Sequence, residues 1–348
     1  MTARAAASRT SVGGLGLTLA IVTAATFSTS GVFASSLIDA GWSAGAAVLA
    51  RITLAAVLLT IPALIQLRGQ WGLLRRGFGQ AAAFGLIAVA GAQLCYFNAI
   101  ERMPVGVALL IEYLGIVLVV GWLWLRHGQR PKRLTVSGGI AALAGLVLVL
   151  NLTGSTSVSP LGVMWALLAA VGLATFYVLS AAEGEEALPP VVMTWAAMGI
   201  AATALMTLGL LRVLPLTWTT TDVTFAGHRV SWILPVLGLA VIAAAIPYVT
   251  GIAAARRLGA KLASFVGLVE VLFAIVFAWL LLGQLPTDLQ FAGGALILAG
   301  VTLVRVDEMR SDLGKRWERL AWTEDGAEEI AMLGDAVEHR PDRETVGR

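Results

Sequence analysis

Ten apolar stretches, each long enough to cross a bilayer, fall into two groups of five, and the last stretches of each group repeat the same residues in the same order. Residues 93–150 carry Tyr96, Arg102, Glu112, the pair Gly128-Gln129, the pair Gly138-Gly139 and a closing AGLVLVL. Residues 245–304 carry Tyr248, Arg257, Glu270, Gly283-Gln284, Gly293-Gly294 and AGVTLV. Tyrosine to glutamate is 16 residues in the first copy and 22 in the second; glutamate to the Gly-Gln pair is 16 and 13. Five crossings is an odd number, so the second copy enters the membrane upside down relative to the first, the plan of many secondary transporters. The chain therefore reads as an all-α integral membrane protein of ten transmembrane helices in two inverted five-helix repeats, over 1–153 and 154–305, with a charged tail over 306–348.

Composition agrees with this reading. The 348 residues are 58% hydrophobic and only 13% charged, about half the charge of an ordinary soluble chain. A spanning helix needs about 20 apolar residues, and the qualifying segments are 14–37, 44–67, 80–100, 104–126, 134–153, 160–182, 190–213, 232–255, 260–283 and 288–305. The first could pass for a signal peptide, with Arg4 and Arg9 before it, but its apolar run is too long and further spans follow. A single cysteine, Cys95, offers no disulfide or thiolate framework, and His127, His228 and His339 all fall in predicted loops or the tail. No Walker-type loop, zinc-spaced histidine pair or nucleophile with a base is present, so the chain is expected to be no enzyme and to need no cofactor or metal.

Lysine and arginine in short loops set orientation. One side gathers Arg4, Arg9, Arg68, Arg75, Arg76, Arg126, Arg130, Lys132, Arg133, Arg256, Arg257, Lys261 and Arg305; the other has Arg102, Arg212 and Arg229. Both termini are thus expected in the cytoplasm, in a multi-pass protein of the plasma (inner) membrane. Residues 1–305 hold 17 basic against 9 acidic residues and the tail 7 against 12, so the basic excess belongs to membrane-flanking loops and not to nucleic-acid binding. The tail's KRWERLAW is expected to form a short surface helix, and its acidic remainder to be disordered.

Three side chains charged at neutral pH sit well inside predicted spans: Arg51 in the second, Glu112 in the fourth and Glu270 in the ninth. A charge in hydrocarbon costs several kcal/mol unless it faces protein or water, so each is a candidate for solute binding or coupling. Glu112 and Glu270 occupy matching places in the two copies, near the expected pseudo-twofold axis; the plainer reading of either is a neutral, hydrogen-bonded packing group. Arg51 has no counterpart in the seventh span, which offers Trp195 and Met198. It could hold a solute carboxylate, pair with Glu112, or snorkel to the nearby surface. Ser28, Ser30, Gln93, Tyr96, Asn98, Tyr113, Thr175, Tyr177, Trp195, Tyr248 and Thr250 complete a candidate cavity lining, although such groups also serve as interfacial anchors or bond their own helices. Pro62 and Pro247 are candidate helix looseners.

The duplicated pattern resembles the drug/metabolite transporter superfamily of EamA type over 14–305. RMPVGVALLIEYLG at 102–115 and PYVTGIAAARRLGAKLASFVGLVEV at 247–271 are similar to the threonine/homoserine exporter branch, with Glu112, Pro247, Tyr248, Arg257, Leu258, Glu270 and Arg51 at its motif positions. Ile116 and Val271 stand where that branch usually has proline, and Gln129 and Gln284 where it usually has an acidic residue. The resemblance implies a carrier whose spans 1–4 and 6–9 line a central cavity while spans 5 and 10 pack outside it. Its expected cargo is a small amphiphilic metabolite, an amino acid or derivative, moved outward with proton antiport through Glu112 or Glu270. Its partners would be the lipid bilayer, the solute and protons, and a homodimer is left open. The alternatives are a non-transporting membrane protein, such as a lipid-modifying enzyme or assembly partner, and a carrier of lipophilic drugs or nucleotide-linked solutes; phosphorylated cargo would call for more intramembrane cations than Arg51 alone.

The lysine/arginine bias predicts that Ala3→Cys, Arg130→Cys and Arg340→Cys, each in a Cys95→Ala background, stay unlabelled by an impermeant thiol reagent in intact cells and react once the membrane is opened. Labelling of position 130 from outside would reverse the orientation.

Overall fold

The computed structural model of the protein describes residues 2–100, 102–103, 105–150, 159–182, 187–282 and 287–321. Inside hydrocarbon every backbone N–H and C=O must be satisfied within the segment, and the described residues are accordingly almost all helical. The elements are α1 (Thr2–Phe27), α2 (Ser30–Asp39), α3 (Ala44–Gln66), α4 (Trp71–Ala83), α5 (Ala92–Ile100), α6 (Val105–Tyr113), α7 (Gly115–His127), α8 (Arg133–Leu150), α9 (Pro160–Ser180) and α10 (Pro190–Leu210), then α11 (Ile233–Ala240), α12 (Ile246–Gly267), α13 (Val269–Leu282) and α14 (Asp288–Ala321). Lipid-facing hydroxyls bond back within their own helix, as Thr26 does to the Val22 carbonyl at 2.7 Å and Thr203 to Gly199 at 2.8 Å.

Nine helical stretches among the described residues are long and apolar enough to cross a membrane. The remaining crossing, the ninth, is divided between α12 and α13. The chain turns at Gly259 (φ 77°, ψ 159°), a left-handed conformation that glycine adopts without a Cβ penalty. The eighth span ends there, the ninth starts at Ala260, and a second interruption at Leu268 separates α12 from α13. All ten expected crossings are therefore present.

Several edges differ from the sequence expectation. The first span is not one helix: it breaks at Ser28-Thr29, between α1 and α2. The third starts at Trp71, not at 80, because Trp71, Arg75 and Arg76 supply an interfacial beginning to the helix. The tail does not begin with a separate surface helix; α14 runs unbroken for 34 residues, about 51 Å at 1.5 Å per residue, and so projects beyond the roughly 30 Å of hydrocarbon. The acidic remainder and the Gly283-Gln284 pair lie outside the described residues. The long loop near 216–231 contains a hairpin, β1 (Val223–Phe225) with β2 (His228–Val230), turned by Ala226 and Gly227, both at positive φ.

The two repeats are related by an antiparallel contact. A Cβ on Gly138 of α8 would lie 2.7 Å from the Gly300 carbonyl oxygen of α14, and one on Gly145 would lie 2.5 Å from that of Gly293. Ascending residues of the fifth span thus meet descending residues of the tenth. Because Gly138 matches Gly293 and Gly145 matches Gly300 in the two copies, one contact maps onto the other, as a twofold axis requires. The remaining packing has the same exchange symmetry: α3 lies on α10, α1 on α12 as α9 lies on α5, and α1 on α13 as α9 lies on α6 and α7. Both third and eighth spans also contain a π-helical segment at matching depth, Phe84–Gly91 and Val241–Ala245.

Valine at Gly300 forces a methine against backbone, and overpacking of this kind costs about 1–3 kcal/mol. Gly300→Val is therefore expected to lower the thermal unfolding midpoint in detergent, while Gly121→Val, whose Cβ would meet nothing within 4 Å, leaves it in place.

Candidate functional site

The broken and π-helical segments surround one cavity of about 390 Å³. Its walls come from spans one to four, six, eight and nine: Ser28, Ser30 and Gly31; Arg51; Gln93 and Tyr96; Glu112 and Tyr113; Phe176 and Tyr177; Tyr248; and Glu270. The fifth and tenth spans contribute nothing, as expected, because they cover each other. The cavity extends past Ala34 and Ile38 to Ala44, close to the loop joining the first two spans.

The other end of the bundle is filled. Leu188 is wholly buried and packs where a Cβ on Gly77 would lie; its carbonyl accepts from Arg256 Nη2 at 2.6 Å. Gln80 Nε2 donates to the Leu179 carbonyl at 2.9 Å. Lys261 forms an ion pair with Glu308, stands 3.9 Å from the buried Asp307, and so ties the start of the ninth span to the tenth. Asp307 also accepts from Thr135 Oγ1 at 2.5 Å, which adds the start of the fifth span. At the cavity end, the loops are joined by Ser43 Oγ to the Pro215 carbonyl at 2.8 Å, Trp42 Nε1 to that of Thr219 at 2.9 Å, and the Phe33–Phe225 stack at 5.1 Å.

All four tyrosines of the chain line this cavity. Tyr96, Tyr113, Tyr177 and Tyr248 each interact electrostatically with both Glu112 and Glu270, and the two carboxyls with each other. The glutamates are half-buried, each facing the cavity. Short interruptions place them: Leu114 follows Glu112 after two residues and Leu268 precedes Glu270 by two, so each sits beside a helix break. Tyr113 stands against Glu270, across the repeat boundary, and the Tyr177 hydroxyl packs on the bare backbone of Gly267. A floor of rings closes the bottom: Tyr248 lies 5.1 Å from Phe27 and 5.6 Å from Phe176, both edge-on, with Phe84 behind.

Arg51 does not snorkel. It is 5% exposed, its Nη1 donates to Ser30 Oγ at 2.8 Å, and Tyr248 lies beside it. Nor does it take the alternative of pairing with Glu112: among the described residues no carboxylate forms an ion pair with Arg51.

Four expected lining residues, Trp195, Asn98, Thr175 and Thr250, lie elsewhere. Trp195 does not line the cavity: the seventh span packs against the second, and the indole Nε1 donates to Thr60 Oγ1 at 3.1 Å. Asn98 points out of it, donating to the Leu94 carbonyl at 2.9 Å and accepting from Arg102. Thr175 bonds back to Val171 at 2.8 Å, and Thr250 meets Thr23 at 2.7 Å between the eighth and first spans. Pro62 sits inside a continuous α3, whereas Pro247 lies two residues past a π-helical segment. Phe27 and Phe176 were not anticipated, since nothing in sequence separates a cavity-facing phenylalanine from a lipid-facing one.

A family model described as the EamA-like transporter family matches residues 14–151 and 160–306. An uncharacterized transporter of Archaeoglobus fulgidus is 27% identical over 222 residues, which is 64% of this chain and 73% of the relative. The uncharacterized inner membrane transporter YicL of Salmonella typhimurium is 26% identical over 231 residues, 65% of this chain and 73% of the relative. A crystal structure shares the fold at a TM-score of 0.68 with 20% identity, over 87% of this chain and 98% of the other.

The geometry separates cavity residues from packing residues. Trp195→Phe removes a hydrogen bond outside the cavity and is expected to cost stability alone, about 0.6 kcal/mol for an average intramembrane bond, with solute affinity unchanged. Tyr177→Phe, within the cavity, is expected to change solute affinity at nearly constant unfolding midpoint. Equal effects of both on binding would place the site elsewhere.

Proposed function

The chain belongs to the EamA-like transporter family, and from that premise we propose that this multi-pass membrane transporter is a secondary carrier exporting a small amphiphilic metabolite, an amino acid or derivative, across the plasma membrane. The observation that carries the reading is the convergence of Arg51, Glu112, Glu270 and every tyrosine on one cavity built by both repeats. A cation and carboxyls on one wall set, with rings and apolar side chains on the rest, suit a solute with opposite charges at one end and an apolar body. The positive-inside rule places the filled end, with its basic loops, in the cytoplasm. The cavity then opens outward, the state in which an exporter releases cargo.

Coupling is assigned to the glutamates. A carboxyl that is protonated on one side and released on the other links solute flux to the proton gradient, and Glu112 from one repeat and Glu270 from the other both line the cavity. Glu112→Gln and Glu270→Gln keep size and hydrogen bonding but fix the group neutral. In proteoliposomes, substitution of the coupling residue is expected to abolish pH-driven accumulation while exchange between two loaded compartments persists. The other variant should lose affinity instead. Undiminished pH-driven accumulation in both would remove the carboxyls from coupling.

A further inference from the structure

Among the described residues Arg51 forms no ion pair, in a place where a charge left so is costly. It comes from the second span, is 5% exposed, donates from Nη1 to Ser30 Oγ at 2.8 Å and lies beside Tyr248. Its Nε is buried and has no hydrogen-bond partner. Glu270 feels its charge through space, yet no described carboxylate pairs with it. A guanidinium in a water-poor interior normally acquires a paired anion and fills its donors, because an unpaired buried charge costs several kcal/mol. Here the free donor belongs to a residue that lines the cavity next to Ser28 and Ser30.

We propose that Arg51, with Ser30 beside it, forms a subsite for the carboxylate of the transported solute, a specificity that rests on the carrier reading above. Carboxylate oxygens accept the parallel N–H bonds of guanidinium in its preferred geometry. A phosphate dianion fits less well, since the remaining charged groups of the cavity, Glu112 and Glu270, are acidic and would repel a second negative charge. The same two carboxyls favour an ammonium at the other pole. Ser30 is the first residue of α2, immediately after the break in the first span, so the cation that reads the solute also holds the segment whose helix is interrupted.

The test uses acid and amide pairs on purified full-length protein: leucine with leucinamide, phenylalanine with phenylalaninamide, and isoamylamine as an amine without either group. Binding is read as the shift in unfolding midpoint with ligand, and transport in proteoliposomes. Wild type is expected to bind an acid at least about tenfold more tightly than its amide, the effect of a charge-assisted bond. Arg51→Gln should bring that ratio to near one while retaining isoamylamine binding, and Arg51→Lys should restore part of it. If Arg51 were only a tether of the first span, Ser30→Ala and Arg51→Gln would lower the unfolding midpoint alike and leave the acid-to-amide ratio untouched, which overturns the subsite. Amine binding with no preference for acids in wild type also overturns it and leaves the carrier reading standing. Absence of binding and of transport for every probe overturns both.

Discussion

The rest of the structure depends on one constraint: hydrocarbon offers no partner to a charged side chain, so any arginine or glutamate within a span must face protein or water. Arg51, Glu112 and Glu270 come from three different spans, and all three meet at one cavity. The tyrosines follow the same rule, since a phenolic hydroxyl also needs a partner once buried. Anchoring at the membrane surface falls instead to tryptophan and basic residues, such as Trp71 beside Arg75 and Arg76.

A cavity among ten helices also needs backbone that is not a plain α-helix, and such backbone is tolerated at membrane depth only where it is enclosed by protein or lines a cavity. The irregular places of this chain obey that limit. Ser28-Thr29, Leu114, Leu268 and the π-helical segments Phe84–Gly91 and Val241–Ala245 belong to spans that wall the cavity. The fifth, seventh and tenth spans, which do not, are unbroken. Regular helices provide the frame, closed by the Gly138–Gly300 and Gly145–Gly293 approaches, and the interrupted ones provide the site together with Arg51 of α3 and Phe176 and Tyr177 of α9.

How much of this was legible beforehand depended on how far each residue departs from a lipid-facing side chain. Glu112, Glu270, Arg51 and the four tyrosines stand out in an apolar sequence, and all reach the cavity. The matched glycines marked the duplication, but that they bring the fifth and tenth spans together emerged only from the structure. Trp195 and Asn98 misled, since a polar atom in a span is satisfied as readily by a neighbouring helix or its own backbone as by a cavity. The break at Ser28-Thr29 left no proline or glycine between the two helices to mark it, and α14 carries no stop signal before its continuation past Arg305.

Two inverted repeats of identical sequence would give inward-open and outward-open states of equal energy. These repeats are not identical at the ends they present. The filled end holds Lys261, Glu308, Asp307 and Thr135 in one cluster, whereas the first repeat has Gly106 near the position matching Lys261 and Leu152-Thr153 where the tenth span has Asp307-Glu308. The matching positions of the first repeat therefore carry no counterpart of the Lys261 pairing with Glu308 and Asp307. Interactions made in one state and not in the other shift the equilibrium by their free-energy difference. The sequence differences between the repeats, Lys261 and its partners at one end and Arg51 within the cavity, are thus the places where the pseudo-symmetry is broken, and where two states of such a bundle would differ in energy.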